Sequence, residues 1–120
     1  MQYMLLVHHD EEAFGRFSET KREQMLKESV QLTHQLHANG QYLIASPLYE
    51  AATATIVRVR EGKQFVTDGP FIETREQLAG YFLIDAKNLD EAIAIAARVP
   101  GARIGTVEVR PVIEIQGPPT

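Results

Sequence analysis

Gly80-Tyr81-Phe82-Leu83-Ile84-Asp85-Ala86 is apolar on both sides of an extended chain, and so is Tyr3-Met4-Leu5-Leu6-Val7-His8 near the start of the sequence. Successive side chains on a strand point to opposite faces. Tyr81 and Leu83 therefore oppose Phe82 and Ile84, while Tyr3, Leu5 and Val7 oppose Met4 and Leu6. Strands apolar on both sides belong inside a sheet covered on both faces. These two are expected at its centre. Grouped across the pair, Leu5, Val7, Tyr81 and Leu83 form one set, with Leu83 expected under helices, and Met4, Leu6, Phe82 and Ile84 form the other.

Working outward, Thr20-Lys21-Arg22-Glu23 has capping-box spacing and predicts a helix to Asn39, stopped by Gly40. At 100° per residue, Met25, Leu26, Leu32 and Leu36 share a stripe, with Val30 and His37 at its edge. Ser29 and Thr33 fall within that stripe, where small residues let a helix sit close on a sheet. Residues 42–45 read as a strand closed by Ser46-Pro47. Residues 53–60 and 64–67 flank Glu61-Gly62-Lys63 as a hairpin, ended by Asp68-Gly69-Pro70. Thr74 and Gln77 also have capping-box spacing, which predicts a short helix over 74–78. Asn88 caps a helix over 89–99, with Pro100-Gly101 as its stop. Residues 106–115 alternate as a last strand, and Gly117-Pro118-Pro119-Thr120 is a tail.

The order is β-α-β-(hairpin)-β-α-β. Right-handed crossovers then put both long helices on one face of an antiparallel sheet. The expected fold is α+β, ferredoxin-like, with an extra β-hairpin. The uncovered face is expected to meet a second subunit, giving a homodimer.

At 120 residues, the chain is expected to be a single domain over 1–120. Apolar residues at 44% allow a real core. A net charge of −4 with scattered basic residues argues against a nucleic-acid partner. The sequence has no cysteine, which removes disulfides, thiolate chemistry and sulfur-ligated zinc, and fits a reducing cytoplasm. The longest apolar run, 92–97, is far short of the ~20 residues of a membrane span. The first residues lack a basic stretch and a cleavage site and read as a strand. A cytoplasmic protein with no membrane partner is expected.

His8-His9-Asp10-Glu11-Glu12 holds metal-ligand residue types, but neighbours at a strand end point apart, so a solvated loop entry is expected and no metal. His34 and His37 share a helix flank. No His-Glu-x-x-His, Gly-x-Ser-x-Gly or glycine-rich phosphate loop occurs, and Ser18, Ser29 and Ser46 sit in no nucleophile elbow. No cofactor is expected. The candidate catalytic residues are Asp68, Glu73 and Arg110. Each has a structural alternative: an Asx-turn for Asp68, a helix cap for Glu73, and an ion pair with Glu108 for Arg110. Glu108 and Arg110 share one side of the last strand, opposite Val107, Val109 and Ile113, and in a cleft they need each other or an anionic ligand. Ser46, Tyr81 and His37 are the candidate binding residues. Around an apolar pocket this set suits a small organic acid or a proton transfer.

The segment Val66-Thr67-Asp68-Gly69-Pro70-Phe71-Ile72-Glu73-Thr74-Arg75-Glu76-Gln77-Leu78-Ala79-Gly80-Tyr81-Phe82 closely resembles the signature of the DGPF family of YCII-related domains. The resemblance extends to Ala52-Thr53-Ala54-Thr55 with Val57-Arg58, to Leu89-Asp90-Glu91-Ala92, and to Val107-Glu108-Val109-Arg110-Pro111-Val112. It covers nearly the whole chain. It implies a dimeric α/β barrel in which two ferredoxin-like sheets pack face to face. It also implies a bacterial family, mostly uncharacterised, many of whose genes lie near those of extracytoplasmic-function sigma factors. Better-known relatives pair a His on the first helix with an Asp; the comparable position here is Ser29 or a close neighbour, and His34 and His37 do not restore the dyad. Two functions follow as expectations: binding or transforming a small organic molecule at the sheet and dimer interface, or a non-enzymatic accessory role with a regulatory protein partner. A structural dimer with a vestigial pocket is a third.

Overall fold

The computed structural model describes residues 1–115 and 117, so the tail expected at 118–120 lies outside the described residues. Strand β1 (Gln2–His9) leads through a short helix α1 (Glu11–Gly15) into the long helix α2 (Glu19–Ala38). Then come β2 (Tyr42–Pro47), the hairpin β3 (Thr55–Arg60) and β4 (Lys63–Asp68), β5 (Gln77–Asp85), α3 (Leu89–Ala96) and β6 (Thr106–Pro111). The main sheet has the order β2-β5-β1-β6 with antiparallel neighbours, and β3-β4 forms a separate ribbon.

The β1–β5 register sets Leu5 opposite Phe82 and Tyr3 opposite Ile84. All four are buried with Leu32 and Leu36 of α2 and Ala92, Ile95 and Ala96 of α3, so both long helices cover one face. Met4 pairs with Leu83 and Leu6 with Tyr81 on the other face, outside the buried core under the helices. The expected grouping is corrected here: Leu83 lies on the open side, and Phe82 and Ile84 lie under the helices. Antiparallel partners share a face, and the register makes odd positions of β1 partners of even positions of β5.

Other boundaries differ for local reasons. Ser18, not Thr20, caps α2, its hydroxyl accepting from Lys21 N at 3.1 Å. Residues 74–78 form no helix; the Thr74 hydroxyl bonds the Glu76 carbonyl, and Gln77 already pairs with His9 in the sheet. Helix α3 ends three residues early because Val99, which precedes Pro100, is extended at φ −68°, ψ 125°. Strand β6 stops at Pro111, opposite Tyr3 and one residue short of the start of β1. The hairpin closes through two residues, Glu61 and Gly62, at φ 52° and 76°. Two consecutive left-handed residues match the strands' right-handed twist, and glycine takes one of them without strain. The ribbon stands away from the core with Val57, Val59, Phe65 and Val66 exposed. The radius of gyration is accordingly 16.5 Å, against ~14 Å for a compact chain of this length.

Candidate functional site

The odd residues of β1 face the helices, and the last of them, His9, arrives where α2 has left the sheet. Met25, Leu32 and Leu36 of α2 are buried, yet Leu26 and Val30 are 56% and 45% exposed. The sheet opens at the same end: pairing slips between Val7 and His8, so Val7 faces Gly80 while His8 faces Leu78. Such a bulge bends a strand and re-aims its side chains. Between helix and sheet lies a cavity of about 310 Å³ bordered by His9, Phe14, Arg22, Ser29, Thr33, Tyr42, Ser46 and Tyr81 among mostly apolar neighbours. Ser29 and Thr33 thus line a space; they do not bring the helix close to the sheet.

His9 stacks on Phe14, with ring centres 4.5 Å apart and planes 16° from parallel. Burial pushes the imidazole pKa below its ordinary value, against the opposing pull of the Glu11, Glu76 and Asp10 carboxylates. The neutral form is therefore favoured. The carboxylates offset only part of the burial cost of the imidazolium.

The surrounding loop is tied down by specific bonds. Asp10 caps α1, accepting from Ala13 N at 3.1 Å. The Glu11 carboxylate accepts from Ala51 N at 2.8 Å, and Glu11 N donates to Gln77 Oε1 at 3.0 Å. One guanidinium nitrogen of Arg22 donates to the carbonyls of Phe17 at 2.7 Å and Gly15 at 3.2 Å, pinning the turn between α1 and α2. The Thr33 and Ser46 hydroxyls donate to Val30 O and Pro47 O at 2.6 and 3.0 Å.

Of the residues expected at a site, Ser46 and Tyr81 stand opposite each other in the β2–β5 pairing and both border the cavity. Tyr81 belongs to this rim as well as to the open-face register. His37 is exposed and sits edge-on to Tyr42, a lining residue, at 6.4 Å. Asp68 is exposed at the end of β4, where Gly69 N donates to Ala54 O at 2.7 Å, and Glu73 is exposed in the following segment. Arg110 is exposed opposite Met4 on the open sheet face. Beside it Glu108 faces Leu6, its carboxylate 3.4 Å from His8 Nε2. The single chain does not bring Asp68, Glu73 and Arg110 to the cavity. His9, Phe14 and Arg22 went unnoticed as a set. The period-two alternation of Tyr3, Leu5 and Val7, continued one step, would have placed His9 on the helix side. Among the described residues, no group of three or more His, Asp or Glu is placed to hold a metal ion, and no helix is long and apolar enough to cross a membrane.

An antiparallel sheet in the order β2-β5-β1-β6, with both long helices on one face, a hairpin inserted before its third strand and a cavity at one end, defines a ferredoxin-like α+β protein. The chain belongs to the YCII-related domain family, which it matches over residues 1–116. It is similar to an uncharacterized protein of Rhizobium meliloti (strain 1021), 33% identical over 113 residues that cover 92% of this chain and 91% of the relative.

Proposed function

We propose that this protein is a cytoplasmic homodimer that binds a small, largely apolar organic molecule in the cavity between α2 and the sheet, with His9 as the group that exchanges a proton with it. One observation carries the reading: a half-buried imidazole, its pKa lowered by burial, borders an otherwise mostly apolar space of ligand size. The homodimer is supported by the open sheet face, where Met4, Leu6 and Leu83 line up beside Ile44, itself 47% exposed. Arg110 and Glu108 lie on that same face, where a second subunit would meet them; Asp68 and Glu73 are exposed, at the end of β4 and in the segment after it. The cysteine-free sequence suits a reducing compartment.

The test is a ligand-observed NMR screen of single-ring organic compounds against the natural protein and Ser29→Phe, which fills the cavity. Hits lost in the variant support the reading. An empty screen, or hits indifferent to the substitution, overturns it.

A second reading has its own observation. Phe71 and Ile72 are 70% and 56% exposed beside the apolar ribbon, a surface suited to contact with a regulatory protein of a sigma-factor system. Accessory action by contact alone predicts that Phe71→Ser abolishes the physiological effect while Ser29→Phe leaves it intact.

A further inference from the structure

Resting on the small-molecule reading above, we infer that the cavity selects a weak acid that enters neutral, a phenol or an enolisable carbonyl compound of about one ring, with its acidic hydrogen toward His9 and its developing anion toward Arg22.

The charges around the cavity discriminate among ligand classes. A permanent anion would approach the Asp10, Glu11 and Glu76 carboxylates that act on His9, and like charges near one another cost free energy. It would meet Arg22 as the lining's cation, part of whose guanidinium already serves two backbone carbonyls. A permanent cation would face Arg22 and lose its water in a mostly apolar space. A neutral acid meets neither penalty. Once inside, its proton passes to the imidazole: the ligand's O–H or C–H bond breaks, its electron pair stays on the ligand, and an N–H bond forms on His9. Nothing is oxidised or reduced. Burial disfavours the imidazolium and the Glu11, Glu76 and Asp10 carboxylates offset part of that cost, while the new phenolate or enolate shares the cavity with Arg22. Of the lining hydroxyls, those of Thr33 and Ser46 already donate to backbone carbonyls. Size and shape agree. A volume of about 310 Å³ lies at the small end of ligand sites, and the nearly parallel His9 and Phe14 rings offer a flat wall to a planar molecule.

The experiment compares 4-nitrophenol, whose anion is coloured, with 4-nitrotoluene, nearly the same shape without the acidic proton. Both are titrated into the full chain at a pH where free nitrophenol is mostly protonated. The expected result is tighter binding of nitrophenol by about tenfold or more, with growth of the nitrophenolate band as the complex forms. His9→Phe, which keeps a ring against Phe14, should bind the two alike and show no band; His9→Gln is the second variant if circular dichroism shows that the first is loosened. Arg22→Gln should lower nitrophenol affinity by a larger factor than nitrotoluene affinity. Equal affinities without a band in the natural protein overturn the acid preference while the small-molecule reading stands. Binding of neither compound overturns both, and a band that persists in both His9 variants overturns the role of His9.

Discussion

Gly105 lies so close to His8 that a Cβ on the glycine would sit 2.1 Å from the His8 carbonyl oxygen and 3.0 Å from the Cα of His9. The turn before β6 therefore rests directly on the backbone that presents His9 to the cavity. Because the obstruction is backbone and not the far end of a flexible side chain, no rotamer change relieves it. Gly105→Ala should cost ~2–4 kcal/mol and weaken ligand binding by displacing His9. Gly15, with nothing near its absent Cβ, is the control, and Gly15→Ala should stay within ~0.5 kcal/mol. Denaturant melts of the two variants that coincide would refute the contact.

The helix side and the open side of the sheet should respond differently. Leu5 is fully buried under the helices, so Leu5→Ala should cost ~2–5 kcal/mol at any protein concentration. Leu83→Glu, on the open face, should instead convert a dimer into a monomer, read by light scattering at micromolar concentration; a stable interface there would bury ~1,600 Å² in total. A natural protein that is already monomeric defeats the dimer and leaves the fold untouched.

The cap of α2 separates two neighbouring hydroxyls. Ser18→Ala should lose ~0.5–2 kcal/mol, because the Lys21 amide loses its acceptor. Thr20→Ala, inside the helix, should change stability by less than ~0.5 kcal/mol. The reverse order would restore the capping box at Thr20.

His9 makes stability depend on pH in a defined direction. Its pKa in the folded chain is lowered from 6.5 by burial, so below 6.5 the unfolded chain binds more protons than the folded one. Stability contributed by this group is present above the unfolded pKa and is lost as pH falls from there toward the folded pKa. His9→Phe should therefore flatten the acid side of the melting-temperature profile between about pH 5 and 8. A ligand that donates its proton should raise the His9 pKa, visible in the shift of the imidazole carbon-bound protons. Unchanged profiles in the variant would remove His9 as the group responsible.

The sheet was legible because Tyr3, Leu5, Phe82 and Ile84 advertise strands through simple alternation; the hairpin was legible at Glu61-Gly62-Lys63, although Lys63 belongs to the returning strand and the turn is Glu61 and Gly62 alone. What alternation cannot supply is register, and that decided which set lay under the helices. Helix α1 escaped notice because five residues leave too short a period to read, and its cap, Asp10, looked like part of a charged run. The cavity was illegible for a related reason. It depends on where α2 parts from the sheet and on the slip between Val7 and His8, both properties of packing, not of composition. Ser29 and Thr33 gave a real signal, two small polar residues in an apolar stripe, but close approach and an empty space share that signature. Ser46 and Tyr81, singled out at a strand end and on a two-sided strand, both border the cavity.

The strand order carries a consequence for how the chain is made. Strand β1 pairs only with β5 and β6, so Tyr3 finds its partners at Ile84 and Pro111. Everything up to β5 at Gln77–Asp85 must leave the ribosome before the first strand has a neighbour. Until then α2 is a helix without a surface to lie on, its Met25, Leu32 and Leu36 in water, and only the β3–β4 ribbon can form from adjacent sequence. Long-range pairing of this kind slows folding and prolongs the exposure of apolar segments. Apolar segments of β1 and α2 thus stay uncovered until β5 has emerged, and β6 then completes the four-stranded sheet.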